Sequence, residues 1–260
     1  MTARKTRLDV LLVARGLAES RAKAQALILA GSVTVTGHPG AKAGTQLPDD
    51  VKILVAAPEH PWVGRGGVKL AHALDAFGIN VAGRLALDIG ASTGGFTDVL
   101  LQRGVCHVIA VDVGHGQLHW KLRSDPRVTL YEGLNARALS RADLPTIGEG
   151  ADVVTIDVSF ISLKYIFPIL PPLLAAGADV VALAKPQFEA GRAEVGAGGI
   201  VKDPVVHERV IASVTDAAAE VGLIRVAIIE SPITGTEGNR EFLLHLRPSV
   251  GSRRGARQPS

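Results

Sequence analysis

The sequence predicts an α/β fold, in which a doubly wound, mostly parallel sheet of seven strands follows a small N-terminal α+β domain. A strand, a glycine-rich turn and a helix occupy residues 85–101, and such a unit opens a doubly wound sheet. Helical patterns separate most of the other apolar runs of strand length, which lie at 108–111, 128–131, 153–156, 180–183 and 224–229. With 47% hydrophobic and only 4% aromatic residues among 260, the composition suits an Ala/Val/Leu-rich core.

The turn at the end of the first of these strands has features of a ligand-binding site. Gly90, Gly94 and Gly95 lack a Cβ atom, so the backbone can adopt strained angles and a ligand can approach it closely. In doubly wound sheets, ligands bind beyond the carboxyl ends of the strands. We therefore expect a nucleotide-like ligand here, against the alternative of a tight turn that binds nothing.

Two carboxylates indicate which nucleotide this is. The spacing Gly-x-x-x-Gly-Gly differs from the Gly-x-Gly-x-x-Gly of dinucleotide-binding proteins. Asp88, just before the first glycine, would repel a pyrophosphate but suits a ligand with a cationic amino-acid end. Asp112 ends the next strand, where it suits the ribose hydroxyls of an adenosine. Together they predict S-adenosylmethionine (SAM) as the cofactor.

The first 60 residues are predicted to form two short helices and a hairpin. Leu8, Leu11 and Leu12 repeat at helical spacing up to a glycine, and a serine, Ser20, caps a second helix that runs to another glycine. The segment 33–37 then alternates apolar and polar residues before a turn, and a further strand is predicted at 51–55.

Residues 61–67 read as an interdomain linker with Trp62 as its only large side chain, and residues 68–247 as the α/β domain. Helices are predicted at 70–77, ended by Gly78, and at 116–122, 161–174 and 204–221. A turn at 235–239 precedes a last, antiparallel strand at 242–246. The Gly/Arg/Ser-rich tail, 248–260, is predicted to be disordered.

Charge is distributed unevenly along the chain, whose formal net charge is +3. Residues 1–60 hold eight Lys/Arg against five Asp/Glu, and residues 247–260 hold four arginines and no acid. Basic ends on a mildly acidic body suggest a polyanionic partner, although solvated termini explain the charge alone equally well.

The single cysteine, Cys106, excludes a disulfide within the chain and fits a reducing cytoplasm. No run approaches the roughly 20 apolar residues of a membrane span, and the basic N-terminus lacks an apolar signal core. We therefore expect a cytoplasmic protein without a membrane partner, and nothing implies an obligate protein partner.

Polar residues at strand ends are the candidates for chemistry. Asp157 and Lys185 follow the fourth and fifth strands, and Glu241 opens the last strand. These ends meet at the same sheet edge as the Gly90 turn, and Lys69 could add a second ammonium group from the preceding helix. Each alone could be a surface charge, but the four together favour a site.

Two other features of the sequence bear on its function. His115 and His119 are four residues apart, but no third ligand has metal-site spacing, so we predict no metal centre. The glycine-rich segment 185–201 is too patterned for disorder and favours a substrate-clamping loop over an inert connection.

The N-terminal pattern Arg-Leu-Asp-x-Leu-Leu-x-x-Arg-Gly-Leu-Ala-x-Ser-Arg, continued by Ala-Gly-x-Val-x-Val, resembles the S4-like RNA-binding module. That module binds structured RNA through shape and phosphate contacts. The resemblance implies RNA contacts by the basic residues on and beside the two helices, which are Arg4, Arg7, Arg15, Arg21 and Lys23.

Over nearly its whole length the chain resembles the TlyA (haemolysin A) family of ribosomal-RNA 2′-O-methyltransferases. The matching segments are Arg-Leu-Asp-Val-Leu-Leu at 7–12, Gly-Arg-Gly-Gly-Val-Lys-Leu at 64–70, and the segments 88–96, 111–118, 157–162 and 185–189. One departure is His60-Pro61-Trp62-Val63, where actinobacterial members often have Arg-x-Trp-Val, so a linker role that depends on that arginine does not carry over.

The resemblance implies an FtsJ-like, Rossmann-like class I methyltransferase fold with a Lys-Asp-Lys-Glu tetrad, which falls on Lys69, Asp157, Lys185 and Glu241, with Lys185 as the base. It implies that SAM contacts Asp88, Gly90, Ala91, Ser92, Thr93, Gly94, Phe96, Asp112 and Asn135. It also implies cytidine riboses of 16S and 23S rRNA, or of 23S rRNA alone, as substrates, and ribosomal subunits as partners.

Two rival functions remain. The haemolysin name suggests a secreted, membrane-damaging protein, but the chain has no signal sequence and no basic amphipathic helix long enough to insert. The other rival is a small-molecule methyltransferase with an RNA-binding appendage. It requires a pocket closed to polynucleotides, whereas the basic module favours an open one.

Overall fold

The computed structural model describes residues 5–29, 31–56 and 60–249. The chain divides into two compact units, Met1–Pro61 and Trp62–Ser260, and each is described by itself below. Arg4 and the part of the predicted tail beyond residue 249 lie outside the described residues.

The N-terminal unit contains two helices and two small antiparallel sheets. Its elements are β1 (Lys5–Arg7), α1 (Leu8–Ala14), α2 (Arg21–Leu29), β2 (Val33–Val35), β3 (Gln46–Pro48) and β4 (Ile53–Val55). The two predicted helices and the strands at 33–35 and 53–55 are confirmed. However, β2 pairs with β4 across a long connection, and β1 and β3 pair with each other. Strands β1 and β3 were not predicted, because β1 continues directly into α1 and β3 lies in a Pro/Gly/Asp-rich segment.

The larger unit is built on a seven-stranded sheet of order β10-β11-β9-β8-β5-β6-β7. Its strands are β5 (Leu85–Ile89), β6 (His107–Asp112), β7 (Val128–Glu132), β8 (Ala151–Ile156), β9 (Leu174–Ala184), β10 (Leu223–Glu230) and β11 (Phe242–Pro248). The neighbouring pairs β7–β6, β6–β5, β5–β8 and β8–β9 are parallel. Strand β11 runs antiparallel to both β9 and β10. The predicted fold class and the antiparallel last strand are therefore confirmed.

The helices of this unit are α3 (Gly66–Phe77), α4 (Gly95–Gln102), α5 (Trp120–Arg123), α6 (Pro186–Glu189) and α7 (Pro204–Glu220). Helix α3 ends where Gly78 adopts a left-handed conformation, as the sequence predicted, and Asp203 caps α7 through a 2.9 Å hydrogen bond from the Val205 N–H.

Two predicted helices were wrong in extent. The segment predicted as one helix at 161–174 forms three 3₁₀ turns, Leu163–Tyr165, Phe167–Ile169 and Pro171–Leu173. Its three prolines lack the N–H group that a continuous α-helix needs, so they confine the segment to short turns. The helix predicted at 116–122 is reduced to α5, because the preceding residues form an irregular loop.

Both faces of the sheet are covered. Leu87 and Ile89 pack into a cluster that includes α7, whereas Ala86, the residue before Leu87, belongs to a second cluster with residues of α3 and α4. A strand that is buried on both faces consists mostly of apolar residues, so it appears in the sequence as a continuous apolar run.

A buried carboxylate, Asp179, joins β9 to its neighbours at the sheet edge away from the candidate site. It is 4% exposed and pairs with Arg84, His245 and Arg247, each at 2.7 Å. Burial alone would raise the pKa of Asp179, but hydrogen bonds from His245 and the two arginines hold it well below its ordinary range. Six residues of strand, roughly 20 Å, separate it from Lys185.

We predict that Asp179→Ala lowers the free energy of unfolding by about 3 kcal/mol, because it leaves the partly buried Arg84 without its carboxylate. Urea unfolding followed by circular dichroism measures the change. The matched control is Asp75→Ala, which breaks an exposed ion pair with Arg103 and should cost less than about 1 kcal/mol. Equal losses in the two variants would contradict the structural role of Asp179.

Candidate active site

The turn after β5 depends on glycine at two positions. Gly90 (φ 86°) and Gly94 (φ 98°) lie in the left-handed region, as the sequence predicted. A Cβ atom on Gly90 would be 2.5 Å from the main-chain oxygen of Asp157, and one on Gly94 would collide with Leu122. The glycines therefore allow close packing of the protein on itself, in addition to any approach of a ligand.

Asp112 fixes the geometry of this turn from the end of β6. Its Oδ2 accepts a 2.7 Å hydrogen bond from the Ser92 N–H, and its Oδ1 accepts one of 2.7 Å from the Gly114 N–H. Beyond β7, the Asn135 side chain accepts a 3.0 Å bond from the Arg137 N–H and so caps a short 3₁₀ turn. Loops from three neighbouring strands thus reach one sheet edge.

Two adjoining cavities open at this edge. One, of about 510 Å³, contains the four tetrad positions, and the other, of about 540 Å³, runs along Asp112 and Asn135. Gly90, Ser92 and Asp157 belong to the walls of both. Both volumes lie in the range of small-molecule sites, roughly 300 to 1,000 Å³.

The residues predicted to bind the cofactor fall into three groups. Asp112 and Asn135 line the second cavity. The turn residues Gly90, Ala91, Ser92, Thr93 and Phe96 line the first. Asp88 and Gly94 are absent from the described walls of both cavities.

Asp88 lies beneath the turn, with 0% of its surface exposed. Its two oxygens accept hydrogen bonds from the hydroxyls of Thr97, at 2.6 Å, and Thr155, at 2.8 Å. Burial raises the pKa of Asp88 to about 6, although the two threonine bonds act in the opposite direction. Asp88 thus joins β5, α4 and β8 under the site, and its contact with the cofactor stays a prediction.

The structure brings the four predicted catalytic residues together in two lysine–carboxylate pairs. Lys69 Nζ, from α3, lies 2.5 Å from Glu241 Oε2, and Lys185 Nζ lies 2.6 Å from Asp157 Oδ1. Both lysines and Glu241 are buried. Four segments distant in sequence thus converge on one cavity.

Sequence reasoning missed three neighbours of this cluster. Lys185 Nζ also donates a 2.9 Å hydrogen bond to Ser159 Oγ. Phe160 is 89% exposed, has a left-handed φ of 62°, and lies 5.1 Å from Phe188 between ring centroids. The residues Ser-Phe after Asp157 are visible in the sequence, but no spacing rule assigns them a place in the site.

The segment predicted as a clamping loop, 185–201, contains more regular structure than expected. It begins with α6 and continues through two 3₁₀ turns, Arg192–Glu194 and Ala197–Gly199. Lys185, Gln187 and Phe188 at its start line the first cavity.

In the N-terminal unit, three predicted RNA-contacting arginines have internal partners. Arg7 and Arg21 bond to the buried Asp9 at 3.0 and 3.1 Å, and Arg15 donates to the main-chain oxygens of Asp49 and Val51. The hydrogen bond from Arg7 is the main reason that the pKa of Asp9 lies well below its ordinary range.

Lys23 is exposed, and its side chain has no hydrogen bond or ion pair with any described residue. Among the described residues, no group of three His, Cys, Asp or Glu side chains could hold a metal, and His119 instead caps α5. In the same part of the chain, no helix has the length and hydropathy to cross a membrane.

Comparison with known families agrees with this architecture. Residues 62–248 match the FtsJ-like methyltransferase family, and residues 6–48 match the S4 domain. A SAM-dependent methyltransferase from Mesorhizobium loti shares the fold, with a TM-score of 0.54 at 16% identity over 71% of this chain and 100% of that one. The chain is therefore a methyltransferase of the SAM-dependent, FtsJ-like class.

Proteins with higher sequence identity to this chain identify its family within this class. TlyA of Mycobacterium tuberculosis (strain H37Rv), a 16S/23S rRNA (cytidine-2′-O)-methyltransferase, is 49% identical over 94% of this chain and 91% of its own length. Hemolysin A of Brachyspira hyodysenteriae is 42% identical over 92% and 98%. The solved structure of a hemolysin-type protein from Streptococcus thermophilus has a TM-score of 0.73 at 44% identity, over 96% and 90%. The chain belongs to the TlyA family.

The cofactor of this family, SAM, fits the second cavity. The wall from the Gly90 turn to Asp112 offers small residues, main-chain groups and a carboxylate at a strand end, which are the groups that hold an adenosine in doubly wound folds. The cavity also meets the tetrad at Asp157, so a cofactor there adjoins the lysine–carboxylate pairs.

We predict that Asp88 makes the protein less stable as pH rises from about 4 to about 6. The unfolded chain releases this proton near its ordinary pKa of 3.8, whereas the folded protein keeps it up to about 6. The folded state binds more protons in that window, so stability falls with pH, by about 3 kcal/mol in all.

Asp88→Asn, which cannot ionise, should lack this loss. Urea unfolding of both proteins at pH 4.5 and pH 7.5 checks it, since other titrating groups are common to the two. Parallel pH dependences would show that Asp88 keeps its ordinary pKa.

Proposed function

We propose that the protein transfers the methyl group of SAM to the ribose 2′-hydroxyl of cytidine in ribosomal RNA. The observation that carries the proposal is the pairing of Lys69 with Glu241 and of Lys185 with Asp157 in a cavity that adjoins the cofactor cavity. The names of the relatives support it: TlyA of Campylobacter jejuni, 33% identical over 71% of this chain and 70% of its own length, is a 23S rRNA (cytidine-2′-O)-methyltransferase.

The cofactor would be held by the walls of the second cavity and the turn. Asp112 suits the ribose hydroxyls, Asn135 lies where the adenine would contact the loop after β7, and residues 90–93 approach the ligand with main-chain groups. When bound, SAM supplies an electrophilic methyl group. Asp88 keeps the turn in place from below.

The residues of the tetrad would prepare the nucleophile. A ribose hydroxyl is a poor nucleophile at neutral pH, so its proton must be taken up as the oxygen attacks. We assign this role to Lys185, whose Nζ is held by Asp157 and lines the cavity. Lys69 and Glu241 form a second ion pair in the wall of the same cavity, and this pair adds no net charge to it.

An RNA substrate is favoured over a small molecule by two features. The S4 domain spans residues 6–48, and the exposed Phe160 ring at the cavity presents an apolar face. We place the reaction in the cytoplasm, on ribosomal RNA or a ribosomal subunit. Mapping 2′-O-methyl groups in rRNA from cells with and without the gene tests the proposal and identifies the nucleotide.

The test of Lys185 is its removal. Lys185→Ala should lower kcat by about 10²- to 10⁴-fold, the usual contribution of a general base, because it removes the group to which we assign the proton. SAM affinity measured by calorimetry should be unchanged. Lys164→Ala, an exposed lysine in the preceding loop, is the matched control and should keep kcat.

Lys185→Arg distinguishes a base from a fixed positive charge. Arginine retains the charge but does not deprotonate in proteins, so the base role predicts a loss of kcat similar to that of Lys185→Ala. Near-normal turnover would instead assign Lys185 to stabilising the developing alkoxide.

RNA affinity should depend on the N-terminal unit through phosphate contacts. Lys23→Ala should reduce the slope of log K against log salt concentration by about 0.7 to 0.9, the value for one contact. Fluorescence anisotropy with an rRNA fragment over a KCl series measures it. Arg103→Ala, a basic residue of the other unit that pairs with Asp75, should leave the slope unchanged.

In the same experiment, substitution of Arg7 or Arg21 would change two properties of the N-terminal unit at once. Replacing either one removes a partner of the buried Asp9, so a loss of RNA affinity there would combine lost contacts with a less stable unit. An unchanged slope in Lys23→Ala would contradict the RNA-contact role proposed for that residue.

A further inference from the structure

We propose that Ser159, which lies outside the tetrad, is a positioning residue that keeps the Lys185 amine aligned as the amine gains a proton. The inference rests on the proposed function, because it concerns the base of that reaction. Lys185 Nζ lies 2.6 Å from Asp157 Oδ1 and donates to Ser159 Oγ at 2.9 Å. Ser159 thereby fixes one hydrogen-bond direction of the amine, and Asp157 contacts the amine as an ion pair.

The two partners differ in what they can do. A carboxylate only accepts hydrogen bonds, whereas a hydroxyl both donates and accepts. In the structure, Ser159 Oγ accepts from Lys185 Nζ, and it can do so in both protonation states, which leaves the lone pair of the neutral amine free to take the ribose proton. Asp157 forms an ion pair with the amine at 2.6 Å, so it is the bond to Ser159 that keeps the orientation of the amine throughout.

The proton balance of the step is simple. The ribose O–H bond breaks and an N–H bond forms at Nζ, while the oxygen forms a bond to the methyl carbon and the bonding pair of the carbon–sulfur bond stays on sulfur. The added N–H leaves Lys185 with three donors, and Ser159 accepts one of them. No other reactant is required.

The loop after β8 is built to hold Ser159 in this place. The next residue, Phe160, adopts a left-handed φ of 62°, which is costly for a bulky side chain and persists only where its surroundings enforce it. Further along, Glu189 at the end of α6 accepts bonds from the Ser162 hydroxyl, at 2.5 Å, and from the Leu163 N–H, at 2.8 Å. The loop that carries Ser159 is thus tied to the segment that carries Lys185.

Other charged groups share the cavity and bear on the amine. Lys69 and Glu241 form their own pair, and Arg65 and Glu237 also line the wall. None of the hydrogen bonds found for these four involves Lys185, so its direct partners among the described residues are Asp157 and Ser159.

The first test is kinetic and uses the full chain with tritiated SAM and rRNA. Ser159→Ala should lower kcat by about 10- to 100-fold, the value of one hydrogen bond to a charged group, with KM for both substrates within twofold. Ser159→Thr, which keeps the hydroxyl, should restore most of kcat. An unchanged kcat in Ser159→Ala would overturn the inference.

A matched variant separates positioning from loop structure. Ser162→Ala removes a hydroxyl from the same loop that bonds to Glu189 and not to Lys185. It should lower thermal stability but leave the pH dependence of kcat unchanged, whereas Ser159→Ala should shift that dependence. Identical pH profiles in the two variants would mean that the loop fold alone matters, and would overturn the role of Ser159.

A second readout does not depend on activity. Acetic anhydride modifies only neutral amines, so mass spectrometry of the Lys185 peptide across a pH series reports its protonation directly. In Ser159→Ala the ammonium loses an acceptor, and half-maximal modification should move to lower pH, but not in Ser159→Thr or Ser162→Ala. An unchanged pH of half-maximal modification in Ser159→Ala would overturn the inference. A wild-type protein that methylates no rRNA would overturn the proposed function, and the acetylation experiment would still decide the role of Ser159.

Discussion

A carboxyl group without exposed surface joins the three elements that form the site. Asp88, the second-last residue of β5, accepts hydrogen bonds from Thr97 of α4 and Thr155 of β8. Thr155 lies two residues before Asp157, and Thr97 lies three residues after Gly94. These hydrogen bonds fix the positions of the glycine turn, the start of α4 and the end of β8 relative to one another. The close contact between Gly90 and the Asp157 carbonyl, and the meeting of the two cavities there, depend on this arrangement.

The central strands could be predicted from sequence because both faces of the sheet are covered there, so β6 and β9 contain the unbroken apolar runs 108–111 and 180–184. The convergence of Asp157 and Lys185 could be predicted because parallel strands end at one edge, and the structure places the two side chains 2.6 Å apart. The positions of Ser159 and Phe160 could not, since they depend on a left-handed residue that nothing in the local sequence specifies. The burial of Asp88 and its two threonine partners could not be predicted either, because the sequence shows the charge of this residue but not its surroundings.

The prediction for the N-terminal unit was limited by a related ambiguity. A count of basic residues gives the charge of a segment but not how that charge is used. Arg7 and Arg21 share Asp9, a carboxylate with 0% exposure, so part of the positive charge expected to face RNA stabilises the unit itself. Buried acids therefore determine how many arginines are available to a partner, and a sequence does not show which acids are buried.

The charge of the first cavity bears on the S4 domain that this chain carries in addition to the methyltransferase domain. Three basic residues line the cavity, Arg65, Lys69 and Lys185, and three acidic ones, Asp157, Glu237 and Glu241. Pairing lowers the cost of burying the lysines, but it leaves the cavity without net charge to attract a polyanion. Chemistry that needs a lysine held by carboxylates thus conflicts with phosphate binding at the same place. Under the proposed function, affinity for RNA then has to come from outside the cavity, and we propose that the S4 domain supplies it without disturbing the balance of the tetrad.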